Sequence, residues 1–316
     1  MYTGKPLYPI LREKMNQASG NIYTDDGIRI HWKTVGQGPL LICSNGVGVG
    51  TFFWKYICAQ YAQKYQILMW DYRGHGESDR DSNHVLQDIS IRRHAQDLEI
   101  IYHTLFPQKP SVTLLGHSMG CQVALEFHRR NPSIVHALVL ILGAAGQSLE
   151  TFADSPYSKH VFHLIHRIMR RIGTKTNYVT RFLLRSRLAW PFTQKMALVD
   201  PYYTSREDFA PYLSHIASMD ILVFLAAAWE CQLHNAWNSL DSIQIPTLII
   251  AAEDDPFFPV SVMKKLHTSI KNSEFLILSG GSHAAIIEQP ETINYRLDRF
   301  FAERLGDVEP LPQKTK

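Results

Sequence analysis

The chain has 316 residues, 45% of them hydrophobic and 19% charged, with a formal net charge of +3 at neutral pH. That length supports a large core, either one domain with an insertion or two smaller domains, and the near balance of charge argues against a nucleic-acid partner. Cys43, Cys58, Cys121 and Cys231 lie far apart with no metal-like pairing, so no zinc site or other metal is expected.

The N-terminal stretch MYTGKPLYPILREKMNQ mixes charges with prolines and lacks the apolar core of a signal peptide. The longest apolar runs, HALVLIL and ILVFLAAAW, fall well short of a bilayer span. Both observations lead to the expectation of a soluble, cytoplasmic protein with residues 1–20 as an N-terminal extension. Asp26-Gly27, between NIYT and IRIHWKT, reads as a hairpin turn. Unbroken apolar runs follow at 40–43, 66–70, 112–115, 137–142, 247–252 and 274–278, the pattern of strands buried on both faces of a parallel sheet. Helical patterns occupy 93–106, 119–130 and 291–303. The alternation predicts a doubly wound, mostly parallel α/β fold with its chemistry at the carboxyl ends of the strands. It breaks once. No buried-strand run occurs over 146–240, a stretch too long for a loop, which reads as a helical insertion between two strands. The expected organisation is a core at 21–145 and 241–305, an insertion at 146–240 and a flexible tail at 306–316.

Within TLLGHSMGCQVALEF, Gly116-His117-Ser118-Met119-Gly120 ends a strand pattern and opens a helical one. Glycine is costly inside either element, so Gly116 and Gly120 point to a tight bend around Ser118. Strand, turn and helix in that order are the setting of a nucleophile elbow; a plain N-cap serine is the competing reading. A serine nucleophile needs a base, and the base an orienting acid. Among 15 histidines, His283 stands out because LSGGSHAAIIEQPE puts it in a Gly-rich loop just after the last strand run. TLIIAAEDDPFFP places Glu253, Asp254 and Asp255 directly after the strand at 247–252, where they can equally cap a turn ahead of a helix near Val260.

With WDYRGHGESD (70–79), GHSMG (116–120), AAEDDPFFP (251–259) and GGSHAAIIEQPE (280–291), the chain from about Asn21 to Leu305 resembles the α/β-hydrolases that carry a helical cap, in particular their serine esterases and lipases. The resemblance implies a catalytic triad of Ser118, Asp255 and His283; Asp255 stands four residues before Pro259, with Asp254 as the fallback. It implies structural support from Asp71, Arg73 and Gly74, and an oxyanion hole made by the backbone amides of Val47 and Met119. Cys43-Ser44-Asn45-Gly46-Val47 departs from the family pattern, with Asn45 where a histidine is usual. Backbone donors tolerate that change. Asn45 is read either as a substrate contact, in keeping with enol-lactonases that share the Ser-Asn start, or as a turn residue. Serine rather than aspartate at the elbow separates the chain from the haloalkane dehalogenases and epoxide hydrolases of this fold. The implied reaction is cleavage of an ester with an apolar acyl group through an acyl-enzyme, without a cofactor. A lactonase or carbon–carbon bond hydrolase with the same triad, and a non-catalytic ligand-binding member, are the alternatives.

The insertion has a charge bias of its own. From Ser155 to Val199 there are nine Lys or Arg and no Asp or Glu. On a helical wheel, KHVFHLIHRIMRRI (159–172) divides into Val161, Leu164, Ile165, Ile168, Met169 and Ile172 on one side and His163, Arg167, Arg170 and Arg171 on the other. Three readings fit: an apolar face that covers the acyl pocket, a helix lying on an anionic membrane, or basic residues that attract an anionic headgroup. Phe162, Phe182, Leu183, Trp190 and Phe192 add to an apolar pocket, with Phe162 and Trp190 as candidate substrate contacts. The expected partner is a small ester or lipid-like molecule.

Overall fold

The computed structural model describes residues 16–79, 88–150, 152, 155, 157–173, 175–195 and 198–306. Residues 1–15 of the expected N-terminal extension and the expected tail after Gly306 lie outside the described residues. The strands are β1 (Gln17–Tyr23), β2 (Arg29–Val35), β3 (Leu40–Ser44), β4 (Gln66–Trp70), β5 (Val112–His117), β6 (Val135–Ile141), β7 (Thr247–Ala252) and β8 (Ser273–Leu278). They form one eight-stranded sheet in the order β1-β2-β4-β3-β5-β6-β7-β8. β1 pairs antiparallel with β2 and β2 antiparallel with β4, and every neighbouring pair from β4 to β8 runs parallel. β1 starts at Gln17, inside the stretch expected to be an extension. Its residues Gln17–Gly20 have no apolar alternation and are held by backbone pairing to β2, from Gln17↔Val35 onward.

The central strands are buried along almost their whole length, and their side chains alternate between two cores. Leu40 and Ile42 of β3 enter one core and Leu41 and Cys43 the other; Leu138 and Leu140 of β6 likewise oppose Ala137, Val139 and Ile141. The helices are α1 (Lys55–Tyr61), α2 (Ile91–Leu105), α3 (Met119–Arg130), then α4 (Ser158–Ile172), α5 (Lys175–Arg185), α6 (Ala189–Lys195), α7 (Arg206–Ser218) and α8 (Ile221–Leu233) between β6 and β7, and finally α9 (Val260–Ser269), α10 (Ala285–Glu288) and α11 (Pro290–Leu305). Ile91, Ala95 and Leu98 of α2 and Met263 and Leu266 of α9 fill the first core. Ile57 and Tyr61 of α1 and Leu297 and Phe300 of α11 fill the second. No single helix among the described residues is long and apolar enough to cross a membrane.

The helical stretch between β6 and β7 leaves and rejoins the sheet at one place: Gly146 bridges to Asn235, and the Ala236 amide donates to the Ala145 carbonyl at 2.7 Å. Its first helix turns only part of its apolar side, Val161, Phe162 and Ile165, toward an internal cavity. Only His166 of α4 is buried, whereas Leu164, Ile168 and Ile172 remain 57%, 47% and 51% exposed. α4 meets Trp229 of α8, on whose indole Phe162 stacks at 6.4 Å and the His163 and His166 rings pack at 5.0 and 6.3 Å, while Arg167, Arg170 and Arg171 stay exposed.

The loop after β4 is anchored by Arg73, which is almost fully buried. Its Nε donates to Asp97 Oδ2 at 2.6 Å and its Nη2 to Asp97 Oδ1 at 2.8 Å, while other donors reach Asp26 in the β1–β2 turn. Hairpin, loop and α2 are thereby locked together around one buried charge pair. Removing Asp97 takes the buried carboxylate from both Arg73 and Arg93 and leaves the buried Arg73, among the described residues, only the half-exposed Asp26 as a carboxylate partner. Asp97→Ala is therefore expected to cost about 3–5 kcal/mol of stability, measured by urea denaturation.

Candidate active site

Ser118 sits between the last residue of β5 and the first of α3, at φ 55° and ψ −118°. A left-handed backbone is unfavourable for a residue with a Cβ. It persists here because the surroundings leave no alternative. The Ser118 amide donates to the Ile141 carbonyl of β6 at 3.0 Å, and α3 lies against the end of β3. A Cβ on Gly120 would stand 2.0 Å from the Ser44 carbonyl oxygen, and one on Gly116 would stand 2.5 Å from the Gly120 oxygen. The two glycines thus serve close approach, and Ser118 itself carries the unusual dihedral.

His283 reaches the serine from the turn after β8, where Gly280 and Gly281 both take positive φ. Its Nε2 lies 2.9 Å from Ser118 Oγ and its Nδ1 lies 2.9 Å from Asp255 Oδ2. With the carboxylate accepting at Nδ1–H, Nε2 is left as the acceptor for the serine proton. The Asp255 side chain is fully buried, and its other oxygen accepts from the Phe257 and Phe258 amides at 2.8 and 3.2 Å. Asp254, the fallback acid, is exposed and Glu253 accepts from the Gly280 amide at 2.9 Å, so neither takes the position beside His283. The Phe257 and Phe258 rings lie 4.7 and 5.7 Å from the imidazole and shield it from water.

Met119 is the first residue of α3, so its amide has no partner within the helix. The Val47 amide likewise meets no acceptor among the described residues, and both residues line the cavity above Ser118. Here Asn45 requires a correction. Its side chain is wholly buried: Nδ2 donates to the Trp70 carbonyl at 2.7 Å and Oδ1 accepts from Trp54 Nε1 at 2.6 Å. Its carbonyl accepts from the Tyr72 hydroxyl at 2.9 Å. Asn45 is spent on holding the loop after β3 and does not face substrate.

Trp190 is the second correction. It packs near Phe209 and stays outside the cavity lining, whereas Phe162 is part of it. Phe182 and Leu183 also lie off the cavity, 75% and 54% exposed. The cavity measures about 610 Å³ and is walled mainly by carbon, with Val49, Phe53, Leu149, Phe209, Ile216 and Phe224 among its residues.

Three positioning residues escaped the sequence reading. His75 is fully buried; its Nδ1 donates to the Arg73 carbonyl at 3.0 Å and its Nε2 accepts from the Gly48 amide at 3.1 Å, fixing the turn that follows Val47. Glu288 accepts from the Ser282 amide and hydroxyl, both at 2.7 Å, and from the Asp200 amide at 2.7 Å, tying the His283 turn to the end of the insertion. His117 donates from Nε2 to the His283 carbonyl at 3.0 Å. His75 and Glu288 both lie inside stretches singled out by sequence, but nothing in a residue type announces a hydrogen bond to a distant backbone. Among the described residues no group of three or more His, Cys, Asp or Glu is placed to hold a metal ion.

A family model described as the alpha/beta hydrolase fold matches residues 38–290, and the chain belongs to that family. A protein of Pseudomonas savastanoi pv. phaseolicola, provisionally named carbamate hydrolase RutD, is 27% identical over 83% of this chain and 93% of its own length. Among solved structures, a thermophilic esterase from Thermogutta terrifontis superposes with a TM-score of 0.71 at 20% identity, covering 91% of this chain and 98% of that one. The enol-lactonase from Burkholderia xenovorans LB400 does so with a TM-score of 0.70 at 16% identity, over 90% and 100%. These structural likenesses establish the shared fold.

His117 also carries a pH signature. Burial pushes its imidazole from an ordinary 6.5 down to about 3, so it is neutral in the native protein. As pH falls through that interval the unfolded chain takes up a proton that the native state refuses, and stability falls with it. His117→Gln keeps a neutral donor and is expected to flatten the decline in unfolding free energy between about pH 6 and about pH 4. Urea titrations at a series of pH values measure it.

Proposed function

We propose that the chain is a serine hydrolase that cleaves a carboxylic ester with an apolar acyl group through an acyl-enzyme. What carries the reading is the unbroken hydrogen-bonded line from Ser118 through His283 to Asp255, opening onto a carbon-walled cavity of about 610 Å³. In this reading His283 Nε2 takes the Ser118 proton as Oγ attacks the ester carbonyl, and the Val47 and Met119 amides hold the oxyanion. The leaving alcohol departs with the proton from His283. Water, deprotonated in turn by His283, then attacks the acyl-enzyme, releases the carboxylic acid and restores Ser118. The buried Asp255 keeps the imidazole tautomer and stabilises the imidazolium of both steps. The helices α4–α8 act as a cap whose residues size the acyl pocket.

Relatives and structural neighbours are named for carbamate, ester and lactone chemistry, and the apolar walls favour the ester. Hydrolysis of p-nitrophenyl esters from short to long acyl chains is expected to be measurable and to peak at a medium or long chain. Ser118→Ala is expected to lower kcat by about 10⁴-fold or more with an unchanged unfolding transition. Near-normal turnover in that variant overturns the nucleophile assignment. Preferential turnover of lactones or carbamates over every ester would replace the ester reading. Stoichiometric retention of ligand without turnover would replace it with a binding role.

A further inference from the structure

The helices α4 to α6 present to solvent a surface that water does not stabilise. Among the described residues, twelve of the eighteen large hydrophobic side chains left exposed lie between Tyr157 and Phe192. Leu164, Ile168, Ile172, Phe182 and Leu188 are each between 47% and 75% exposed, and a concentration of apolar exposure in one stretch marks a binding surface. The flank is equally one-sided, since Ser155–Val199 carries nine Lys or Arg and no acid. Arg167, Arg170 and Arg171 border a groove of about 540 Å³ beside Trp229. Among the described residues, no carboxylate pairs with these three arginines. Val161, Ile165 and Phe192 line the catalytic cavity and are nevertheless 54%, 44% and 59% exposed. They put apolar side chains both on the outer surface and on the cavity that holds Ser118.

We propose that the α4–α6 face docks on an anionic lipid surface, its apolar side chains entering the acyl region while its arginines meet the headgroups, with the mouth of the cavity turned toward the lipid. Charge decides the occupant. A second copy of the chain would set one basic flank against another, whereas an anionic bilayer supplies the opposite sign across the whole face. Contact is at the surface, because no single described helix is long and apolar enough to span. Delivery of an acyl substrate past Val161, Ile165 and Phe192 rests on the ester hydrolase reading; the docking itself does not.

The test is flotation of the full chain with phosphatidylcholine vesicles containing about 30% phosphatidylglycerol, beside pure phosphatidylcholine. Binding is expected to the anionic vesicles at low salt and to weaken strongly at about 1 M salt, where the screening length is about 3 Å. Ile168→Ser with Phe182→Ser is expected to weaken partitioning by about tenfold or more, and Arg170→Ser with Arg171→Ser by about fivefold for each arginine removed. Both pairs are exposed and outside the cavity, so turnover of a soluble short-chain ester without lipid is expected to be unchanged. Wild-type protein that hydrolyses that ester but ignores anionic vesicles overturns the docking surface and leaves the catalytic reading standing. Vesicle binding in a protein without ester turnover supports docking while the catalytic reading fails. A lipid-free dimer abolished by Ile168→Ser and Phe182→Ser overturns the proposal in favour of a second copy.

Discussion

Everything at the site hangs on the left-handed backbone of Ser118. A strained residue of this kind costs on the order of 1–3 kcal/mol and survives only where its neighbours over-determine it. The neighbours here are the Ile141 carbonyl that binds its amide and the Ser44 carbonyl against which Gly120 is pressed. Between them they fix both the exit of β5 and the entry of α3. Two consequences follow from one dihedral. The hydroxyl is thrown clear of the sheet, and the first amide of α3 is left beside the cavity; the parallel pairing of β6, β7 and β8 separately brings Asp255 and His283 to complete the line.

The second half of the site, the loop after β3, is held by side chains that never touch a reacting atom. Asn45 is gripped by Trp54, Trp70 and Tyr72, and His75 holds Gly48. Arg73, whose carbonyl orients His75, is itself clamped by Asp97 and Asp26. The chain of contacts runs from the β1–β2 turn to the Val47 amide without a break. Buried polar groups are tolerated only when satisfied, and here their satisfaction is also what aims a backbone donor. Asn45 suits this place because its two-sided amide bonds both a carbonyl and an indole.

Much of this was legible beforehand, and the reason is physical. Strands buried on both faces must be apolar at every position, so β3 to β7 announced themselves as unbroken runs, and the elbow was visible because close approach admits only Gly116 and Gly120. What escaped had no such compositional cost. β1 begins in QASG, where pairing to β2 comes from the backbone alone. α1 is short and aromatic, with no capping residue to mark it. Asn45 and Trp190 carry side chains equally at home facing a ligand or the core, and only the fold decides between those environments.

The helix α4 shows the deeper limit. Its wheel separates an apolar from a basic side, yet a wheel does not say which side meets the protein. The usual expectation, apolar side inward, assumes that the nearest core still needs covering. Both cores of this sheet are closed by α1, α2, α3, α9 and α11, so α4 contributes little to either. It meets instead the aromatic surface of Trp229, on which the Phe162, His163 and His166 rings pack. With that contact made by Phe162 and the two imidazoles, Leu164, Ile168 and Ile172 are left looking outward while Val161 and Ile165 line the cavity. The orientation that is unfavourable in water leaves exposed apolar side chains on the same helix that lines the cavity.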